Sequence, residues 1–367
     1  MSNATEAGSA GSQTNGLTGA EKDRVREFAA AVKTLRTHLA KRVVGQERIV
    51  TLLLSAILAE GHCLVVGVPG LAKTLLIHSL AELLSVSYKR IQFTPDLMPS
   101  DITGASVIHK DSSGTRDFRF LRGPIFANII LADEINRTPP KTQAALIEAM
   151  EEGQISVAGR QTPLERPFFV LATQNPIEQE GTYPLPVTQM DRFLFSITID
   201  YPSVEEEFEI LVRTTSTYQS ELRTLFDRES LLELLSIVPR IEVAPRWIDY
   251  ASRLTRYTRP STPEAPDFIR ELVSWGAGPR ATQALLAGAK ATALLAGRSR
   301  VEVEDLHAVV LPTYRHRVLL SYNAQAEGVL PDDVLIRLLR SLPDGLYPDE
   351  VETTPAAKKG LLARLFS

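Results

Sequence analysis

Apolar residues recur at helical spacing near the start of the chain, from Glu21 to about Arg42. The positions that share one helix face are Val25, Phe28, Ala29, Val32, Leu35 and Leu39. A second helix is predicted from Glu47 to Glu60, because Gly61 follows it as a stop signal. Residues 1–18 lack this spacing and are rich in Gly, Ser, Ala, Thr and Asn, so they are predicted to form a disordered tail.

Five short and nearly continuous apolar runs follow, with helical or irregular segments between them. They occupy residues 63–66, 88–93, 128–133, 168–175 and 193–200. Strands with so few polar positions are typical of a parallel sheet that is covered by helices on both faces. The pattern predicts an α/β domain of three layers over residues 19–201.

Two segments interrupt this alternation of strands and helices. Residues 94–127 contain two extended pieces around an Asp-Ser-Ser-Gly turn, which indicates an insertion. Residues 153–167 alternate apolar and polar positions before an Ala-Gly-Arg turn, which predicts a β-hairpin with Arg160 near its tip.

Helical patterns replace the strand signals after Pro202. They predict a second, all-helical domain over residues 202–350, followed by a C-terminal tail over residues 351–367. The final ten residues, KKGLLARLFS, fit either a short docking helix or a frayed end.

Charge and composition narrow the function without defining it. A formal net charge of -4 and a pI near 6.0 give no general attraction to nucleic acid. The single cysteine, Cys63, excludes an internal disulfide and lies in an apolar run, which favours a buried structural thiol. No apolar run approaches the roughly 20 residues of a membrane span, and the N-terminus lacks the features of a secretion signal, so a cytoplasmic protein is expected.

The octet GVPGLAKT, residues 67–74, lies between the first apolar strand and a helical pattern. Such a loop directs backbone N–H groups and the positive end of a helix dipole at one point, where phosphate binds. Lys73 can reach the β and γ phosphates, and the Thr74 hydroxyl can ligate Mg²⁺. The octet therefore predicts a phosphate-binding loop that acts with Mg²⁺, while a plain strand-to-helix turn is the alternative.

Ala72 stands where such loops usually carry glycine before the lysine. Alanine keeps the backbone N–H but restricts the backbone, so the loop is expected to hold a conformation suited to L-residues there.

Asp133 ends the apolar run at 128–133, and Glu134 follows it directly. Ligands of open α/β sheets bind at the carboxyl ends of the strands, so this acidic pair is expected at the phosphate site. By itself, an acidic pair at this place is typical of a solvated strand end. In a chain with a phosphate loop, the same pair predicts that Asp133 holds Mg²⁺ and that Glu134 polarises the attacking water. Asn175 ends the run at 168–175 and is expected at the same sheet edge, where an amide can read the γ phosphate.

The ordered motifs GVPGLAKT, IILADEINR, ATQNP, TYPLPVTQMDRF and GPRA resemble the MoxR family of AAA+ ATPases over about residues 40–345. This family has a P-loop NTPase core followed by a helical lid, and it is related to the ATPase subunit of magnesium chelatase. The resemblance also accounts for the insertion and the added hairpin, since this family, which belongs to the helix-2-insert group, carries both.

The resemblance implies roles for residues that are otherwise ordinary. Arg192 would be the arginine finger that points into the neighbouring subunit, and Arg280 a second sensor that reaches from the lid to the nucleotide. Arg137 would lie at the subunit interface. The implied nucleotide contacts are Val44, Gly45, Gly67, Pro69, Gly70, Leu71, Ala72, Lys73, Thr74, Leu75, Asn175 and Arg280.

The resemblance further implies a hexameric ring and a chaperone-like role in maturing or remodelling a protein complex, with a partner that contains a von Willebrand factor A domain. Two alternatives use the same core. A DNA-directed motor or clamp loader needs a basic groove or a winged-helix domain, neither of which the sequence indicates. A scaffold that binds but barely hydrolyses ATP does not require the acidic pair.

Overall fold

The computed structural model describes residues 16–68, 70–110, 116–157, 159–176, 181–215 and 224–342. Pro69, the first fifteen residues and the predicted C-terminal tail at 351–367 lie outside these ranges.

Two helices begin the described chain, α1 (Gly19–Ala40) and α2 (Glu47–Leu58). Thr18 caps α1: its hydroxyl accepts a hydrogen bond from the Glu21 N–H, and the Glu21 carboxylate accepts one from the Thr18 N–H. Leu17 is buried in the core. The prediction of a disordered tail as far as residue 18 is therefore wrong for its last residues, because Leu17 gains apolar contacts and Thr18 gains a cap.

The central sheet has five parallel strands, and each lies inside an apolar run predicted from the sequence. The strands are β1 (Cys63–Val66), β2 (Tyr88–Gln92), β5 (Ile129–Asp133), β8 (Phe169–Gln174) and β9 (Phe195–Thr198). Their order across the sheet is β2-β5-β8-β1-β9. All pairs are parallel, so every carboxyl end points to one edge of the sheet.

Helices cover both faces of this sheet. The remaining core helices are α3 (Lys73–Leu83), α4 (Pro99–Thr103), α5 (Pro140–Glu152) and α6 (Val187–Met190). Leu131 packs with α2 and α3 on one face, whereas its neighbour Ile130 packs with Leu146 of α5 on the other. This alternation along β5 produces the predicted three layers.

Two antiparallel hairpins stand outside the central sheet, at the places where the sequence interrupts its α/β alternation. The insertion forms β3 (Gly104–Lys110) and β4 (Arg116–Arg122), and the second hairpin forms β6 (Gln154–Val157) and β7 (Arg160–Pro163).

The C-terminal half is mainly helical. Its helices are α7 (Val204–Thr214), α8 (Arg228–Ile237), α9 (Pro245–Tyr257), α10 (Asp267–Leu272), α11 (Pro279–Leu295), α12 (Val303–Tyr314), α13 (Tyr322–Ala326) and α14 (Pro331–Ser341). A short antiparallel pair, β10 (Val273–Trp275) and β11 (Leu319–Leu320), also lies here and was not predicted. Strands of two or three residues are too short to show a period in the sequence.

The helical C-terminal half, which we call the lid, packs along the β9 side of the core. Helix α11 packs on α2, and α12 packs on β9. At Gly288 of α11, an added Cβ would lie 2.6 Å from the Phe195 ring, so glycine permits this close approach. The seating determines which end of the sheet each lid residue can reach. Within the described residues, no helix is both long enough and apolar enough to cross a bilayer.

Candidate nucleotide-binding site

The loop between β1 and α3 is closely fitted to its surroundings. The Gly67 N–H donates to the Gln174 carbonyl at 3.2 Å. A Cβ at Gly67 would lie 2.7 Å from the Ile199 carbonyl oxygen, and Gly70 has a φ of +86°. Both positions therefore favour glycine, the first for space and the second for backbone conformation.

Ala72 departs from what the sequence predicts. It adopts φ 54° and ψ 21°, in the left-handed region that alanine rarely occupies. The expectation of a conformation well suited to an L-residue is wrong, since the loop keeps a glycine-like turn at this position. Helix α3 begins at the next residue, so the turn presents the first amides of that helix to the loop.

Lys73 curves back over the loop. Its Nζ donates to the Gly67 carbonyl at 2.7 Å and to the Val68 carbonyl at 3.2 Å. Burial lowers the pKa of Lys73, while the negative charges of Asp133 and Glu134 oppose that shift. The ammonium group is therefore bonded to the loop and attracted by the charges of the acidic pair, and Thr74, the next residue, is exposed to solvent.

Asp133 is held by two contacts at the carboxyl end of β5. Its Oδ2 accepts from the Arg90 Nη2 at 2.6 Å, and its Oδ1 accepts from the Thr173 hydroxyl at 2.7 Å. The Thr173 oxygen in turn accepts from the Glu134 N–H at 2.8 Å. A polar link thus joins β2, β5 and β8 at the edge where the phosphate loop lies.

The oxygen donors at this edge suit a magnesium ion. Mg²⁺ prefers oxygen ligands and is commonly held by one or two protein groups, with phosphate and water completing the octahedron. Thr74 and Asp133 provide a hydroxyl and a carboxylate of this kind. No group of three or more His, Cys, Asp or Glu side chains arranged for metal binding occurs in the described chain.

Glu134 is positioned by strain and by two donors. Its backbone lies in the left-handed region with φ 57°, which is uncommon outside glycine. Gln92 donates to its Oε2 at 2.9 Å, and the Arg137 Nη1 donates to the same oxygen at 3.0 Å. Arg137 thus contacts the acidic pair of its own chain, whereas the sequence resemblance implied a position at the interface.

Gln92 and Arg90 contact the acidic pair, although nothing in the sequence predicts this role. They lie on β2, which pairs with β5 so that Gln92 stands opposite Asp133. Only the strand order reveals this, because more than thirty residues separate the two strands along the chain.

The remaining predicted contacts gather around the loop. Asn175 is buried directly after β8. Gln46, next to Gly45, donates through its Nε2 to the Leu71 carbonyl at 3.2 Å. Gly45 has a φ of +74°, and a Cβ there would collide with the Glu206 carboxylate of α7. The segment with Val44 and Gly45 therefore lies between the loop and the start of α7. Leu75, in the first turn of α3, is exposed.

Arg192 and Arg280 are not part of this cluster. The Arg192 Nη1 lies 2.7 Å from Glu151 Oε2, and the Arg280 Nη2 lies 2.9 Å from Glu151 Oε1, so one carboxylate binds both arginines. They line a cleft of about 300 Å³ together with Gly61 and His62.

This cleft is at the opposite edge of the sheet from the phosphate loop. Gly61 and His62 precede β1, whereas Gly67 follows it, and a strand of four residues spans about 13 Å. Glu151 likewise lies near the end of α5, which starts on the phosphate side after β5. Arg280 therefore lies away from the phosphate loop of its own chain, because α11 begins at the amino ends of the strands. We use the names "phosphate edge" and "arginine edge" for these two sides.

Comparisons with known proteins agree with this architecture. The model of the ATPase family associated with various cellular activities (AAA) matches residues 62–195, and an AAA lid domain model matches residues 268–337. The fold and the phosphate edge together define the chain as an AAA+ ATPase with a helical lid.

Individual relatives narrow the family. The chaperone MoxR1 of Mycobacterium tuberculosis is 41% identical over 86% of this chain and 83% of its own length. The protein MoxR of Paracoccus denitrificans is 31% identical over 84% and 94%, respectively. A crystal structure described as that of a candidate ATPase from Cytophaga hutchinsonii superimposes with a TM-score of 0.82, at 36% identity, and covers 88% of this chain and 97% of its own. The chain belongs to the MoxR family of chaperone-like AAA+ ATPases.

Proposed function

We propose that this protein hydrolyses ATP in a ring in which each phosphate edge receives Arg192 and Arg280 from the neighbouring subunit. The observation that carries the proposal is the shared contact of both arginines with Glu151, on the side of the sheet away from their own phosphate loop. Both arginine side chains are partly exposed, so a neighbouring phosphate can approach them.

The phosphate edge supplies the remaining groups for phosphoryl transfer. Loop amides and Lys73 bind the phosphates, and Asn175 contacts the γ phosphate. Glu134 orients the attacking water and accepts its proton, with Gln92 and Arg137 holding the carboxylate until substrate binds. Thr74 and Asp133 would hold Mg²⁺, which neutralises phosphate charge when bound.

Arginines supplied from a second subunit make assembly a condition of turnover. Positive charge near the transferred phosphoryl group stabilises the transition state, and an arginine finger contributes about 10³ to 10⁵ in rate. Contact between two different edges is head-to-tail and therefore closes into a ring or extends as a helix. We propose a hexameric ring, with weak activity in the isolated chain.

We further propose that the ring remodels or matures a protein complex in the cytoplasm, with a partner that carries a von Willebrand factor A domain. The naming of the relative MoxR1 as a chaperone supports the remodelling role. The partner class depends on family resemblance alone. Co-purification with a von Willebrand A protein that is lost when ATP is withheld tests this part separately.

The arrangement between subunits is tested by mixing two inactive variants. Glu134→Gln keeps both arginines but loses the base, whereas Arg192→Ala keeps the base but loses the finger. Each variant alone is expected to hydrolyse ATP poorly. Mixed rings are expected to regain activity, because some sites combine an intact Glu134 with an intact Arg192 from the neighbour.

A mixture that stays inactive although mass spectrometry shows mixed rings would contradict the proposal. A mixture of Glu134→Gln with Lys73→Ala provides the control. Each change damages the phosphate edge of its own chain, so every site in a mixed ring lacks either Glu134 or Lys73 and no neighbour can compensate.

A further inference from the structure

A buried arginine of the lid, Arg317, contacts the core segment that carries Arg192. Its Nε donates to Asp191 Oδ1 at 2.7 Å, and its Nη2 donates to the Asp191 carbonyl at 2.9 Å. The same guanidinium group also donates to the Phe193 carbonyl at 2.7 Å and to the Leu194 carbonyl at 3.2 Å. The side chain is only 3% exposed.

These bonds surround Arg192 on both sides. Residues 191–194, which we call the arginine segment, connect α6 to β9. Arg317 donates hydrogen bonds to the Asp191 carboxylate and to the backbone carbonyls directly before and after Arg192. The Arg192 N–H donates to the Gln189 carbonyl, and the Leu194 N–H donates to the His62 carbonyl. The backbone of the arginine segment is therefore fixed, which leaves the Arg192 side chain to meet its partner.

A lysine cannot reproduce these contacts. Arginine presents five N–H donors in a rigid plane, whereas a lysine ammonium is a single point on a flexible stem. Burial lowers the pKa of Arg317, and the bond to Asp191 opposes that shift, so the guanidinium stays charged in a nearly dry site. Burying this cation is costly, and the several acceptors around it offset that cost.

The neighbouring residues of the lid make other contacts. His316 donates through its Nε2 to the Phe193 carbonyl at 3.1 Å. Arg315 donates to the Ser196 carbonyl at 3.2 Å and pairs with Asp332 at 2.7 Å, without touching residues 191–194 in the contacts described. Arg315 therefore offers a matched control, since it also joins the lid to the edge of the core.

We propose that Arg317 is a positioning residue for the arginine finger, so that the lid sets the place of Arg192 in the neighbouring site. This inference rests on the proposed function, because it assumes that Arg192 acts in the next subunit. It also implies that the lid and the arginine segment of one chain move together when the ring changes state, rather than the lid moving alone against the core.

The test compares Arg317→Lys and Asp191→Asn with Arg315→Lys. Misplacement of a reacting group by about 1 Å costs about 10²-fold in rate, so we expect kcat of Arg317→Lys rings to fall by about that factor. Asp191→Asn removes the charged acceptor on the core side and is expected to lower kcat in the same direction. In both variants the KM for ATP is expected to stay unchanged, because their own phosphate edge is intact. Arg315→Lys is expected to retain kcat.

Mixing each variant with Glu134→Gln adds the decisive readout. Subunits with Glu134→Gln carry an intact finger, so they are expected to restore turnover at the sites of Arg317→Lys or Asp191→Asn neighbours. A fall in kcat without such rescue would assign the damage to the variant's own site and would overturn the inference, as would an unchanged kcat in both variants.

Asp191 is the more exposed partner in the Arg317–Asp191 pair, so Asp191→Asn keeps the inference testable if Arg317→Lys does not fold. The mixture of Glu134→Gln with Arg192→Ala tests the proposed function separately from the positioning role of Arg317. Rescue there but not with the Arg317 and Asp191 variants would refute the positioning role alone, whereas no rescue in any mixture would refute the proposed function.

Discussion

The phosphate edge and the arginine edge differ in how their charged residues are held. At the phosphate edge, adjacent residues of one loop and two strand ends converge, and backbone turns such as those at Ala72 and Glu134 set their directions. At the arginine edge, Arg192 and Arg280 come from different domains and meet on Glu151. Groups that bind the phosphates can thus be encoded within one short motif. Groups that act in a neighbouring subunit depend instead on how the lid packs against the core.

The largest effect is expected from acid, which acts on a histidine beneath the arginine edge. His62 accepts at Nδ1 from the Val170 N–H and donates through Nε2 to the Met150 carbonyl, both at 3.1 Å, so it must be neutral. Burial lowers the pKa of His62 from 6.5 to about 4. Below pH 6.5 the unfolded chain protonates this residue whereas the folded chain does not, so His62 alone lowers the stability by about 3 kcal/mol as the pH drops from 7 to 4.

His62→Gln measures this contribution. Glutamine can donate and accept at the same two backbone groups but does not titrate in this range. Urea unfolding of both chains from pH 7 to pH 4 should therefore show the wild type losing stability relative to the variant. His307 and His316 also have lowered pKa values, but they contribute equally to both chains and cancel in the difference. Parallel pH curves would contradict the prediction.

The next effect separates the two edges by nucleotide binding. Lys73→Ala removes a charged donor from the phosphate edge, and hydrogen bonds to charged groups contribute about 1.5–3 kcal/mol, so ATP affinity of the isolated chain should fall roughly 10- to 100-fold. Arg280→Ala should leave that affinity unchanged, because Arg280 lies at the other edge. Calorimetry on dilute, unassembled protein distinguishes the variants. Weaker binding in Arg280→Ala would place the residue at its own nucleotide after all.

The smallest effect concerns backbone strain at the phosphate edge. A left-handed alanine costs about 1–2 kcal/mol, and part of the gain from glycine is lost to the entropy of the unfolded chain, so Ala72→Gly should stabilise the fold by about 0.5–1 kcal/mol. Ala81→Gly, within α3, should instead destabilise it by about 1 kcal/mol. Chemical denaturation of both variants provides the measurement, and a loss of stability in Ala72→Gly would mean that the strain is relieved elsewhere.

The sequence predicts most of the phosphate edge because its groups are encoded locally. An apolar strand followed by GVPGLAKT, and a second strand that ends in Asp133 directly before Glu134, specify both residue type and place. Parallel strands bring their carboxyl ends together, so the chain order alone is enough to assign Asn175 to the same edge.

The arginine edge and the contacts of β2 could not be predicted in the same way. The position of Arg280 depends on the packing of α11 against α2, which no local pattern encodes. Gln92 and Arg90 meet the acidic pair only because β2 lies next to β5 in the sheet. The role of Arg317 could not be predicted from the sequence either, because no local pattern distinguishes a buried arginine from a surface arginine.

The lid contacts along β9 also have a consequence for solubility. β9 is an outer strand of the sheet, and such strands invite pairing with strands of other molecules. Here Arg315 and Arg317 occupy the outward carbonyls of Ser196 and Leu194. These two lid arginines therefore reduce the capacity of the β9 edge to pair with a strand of another molecule.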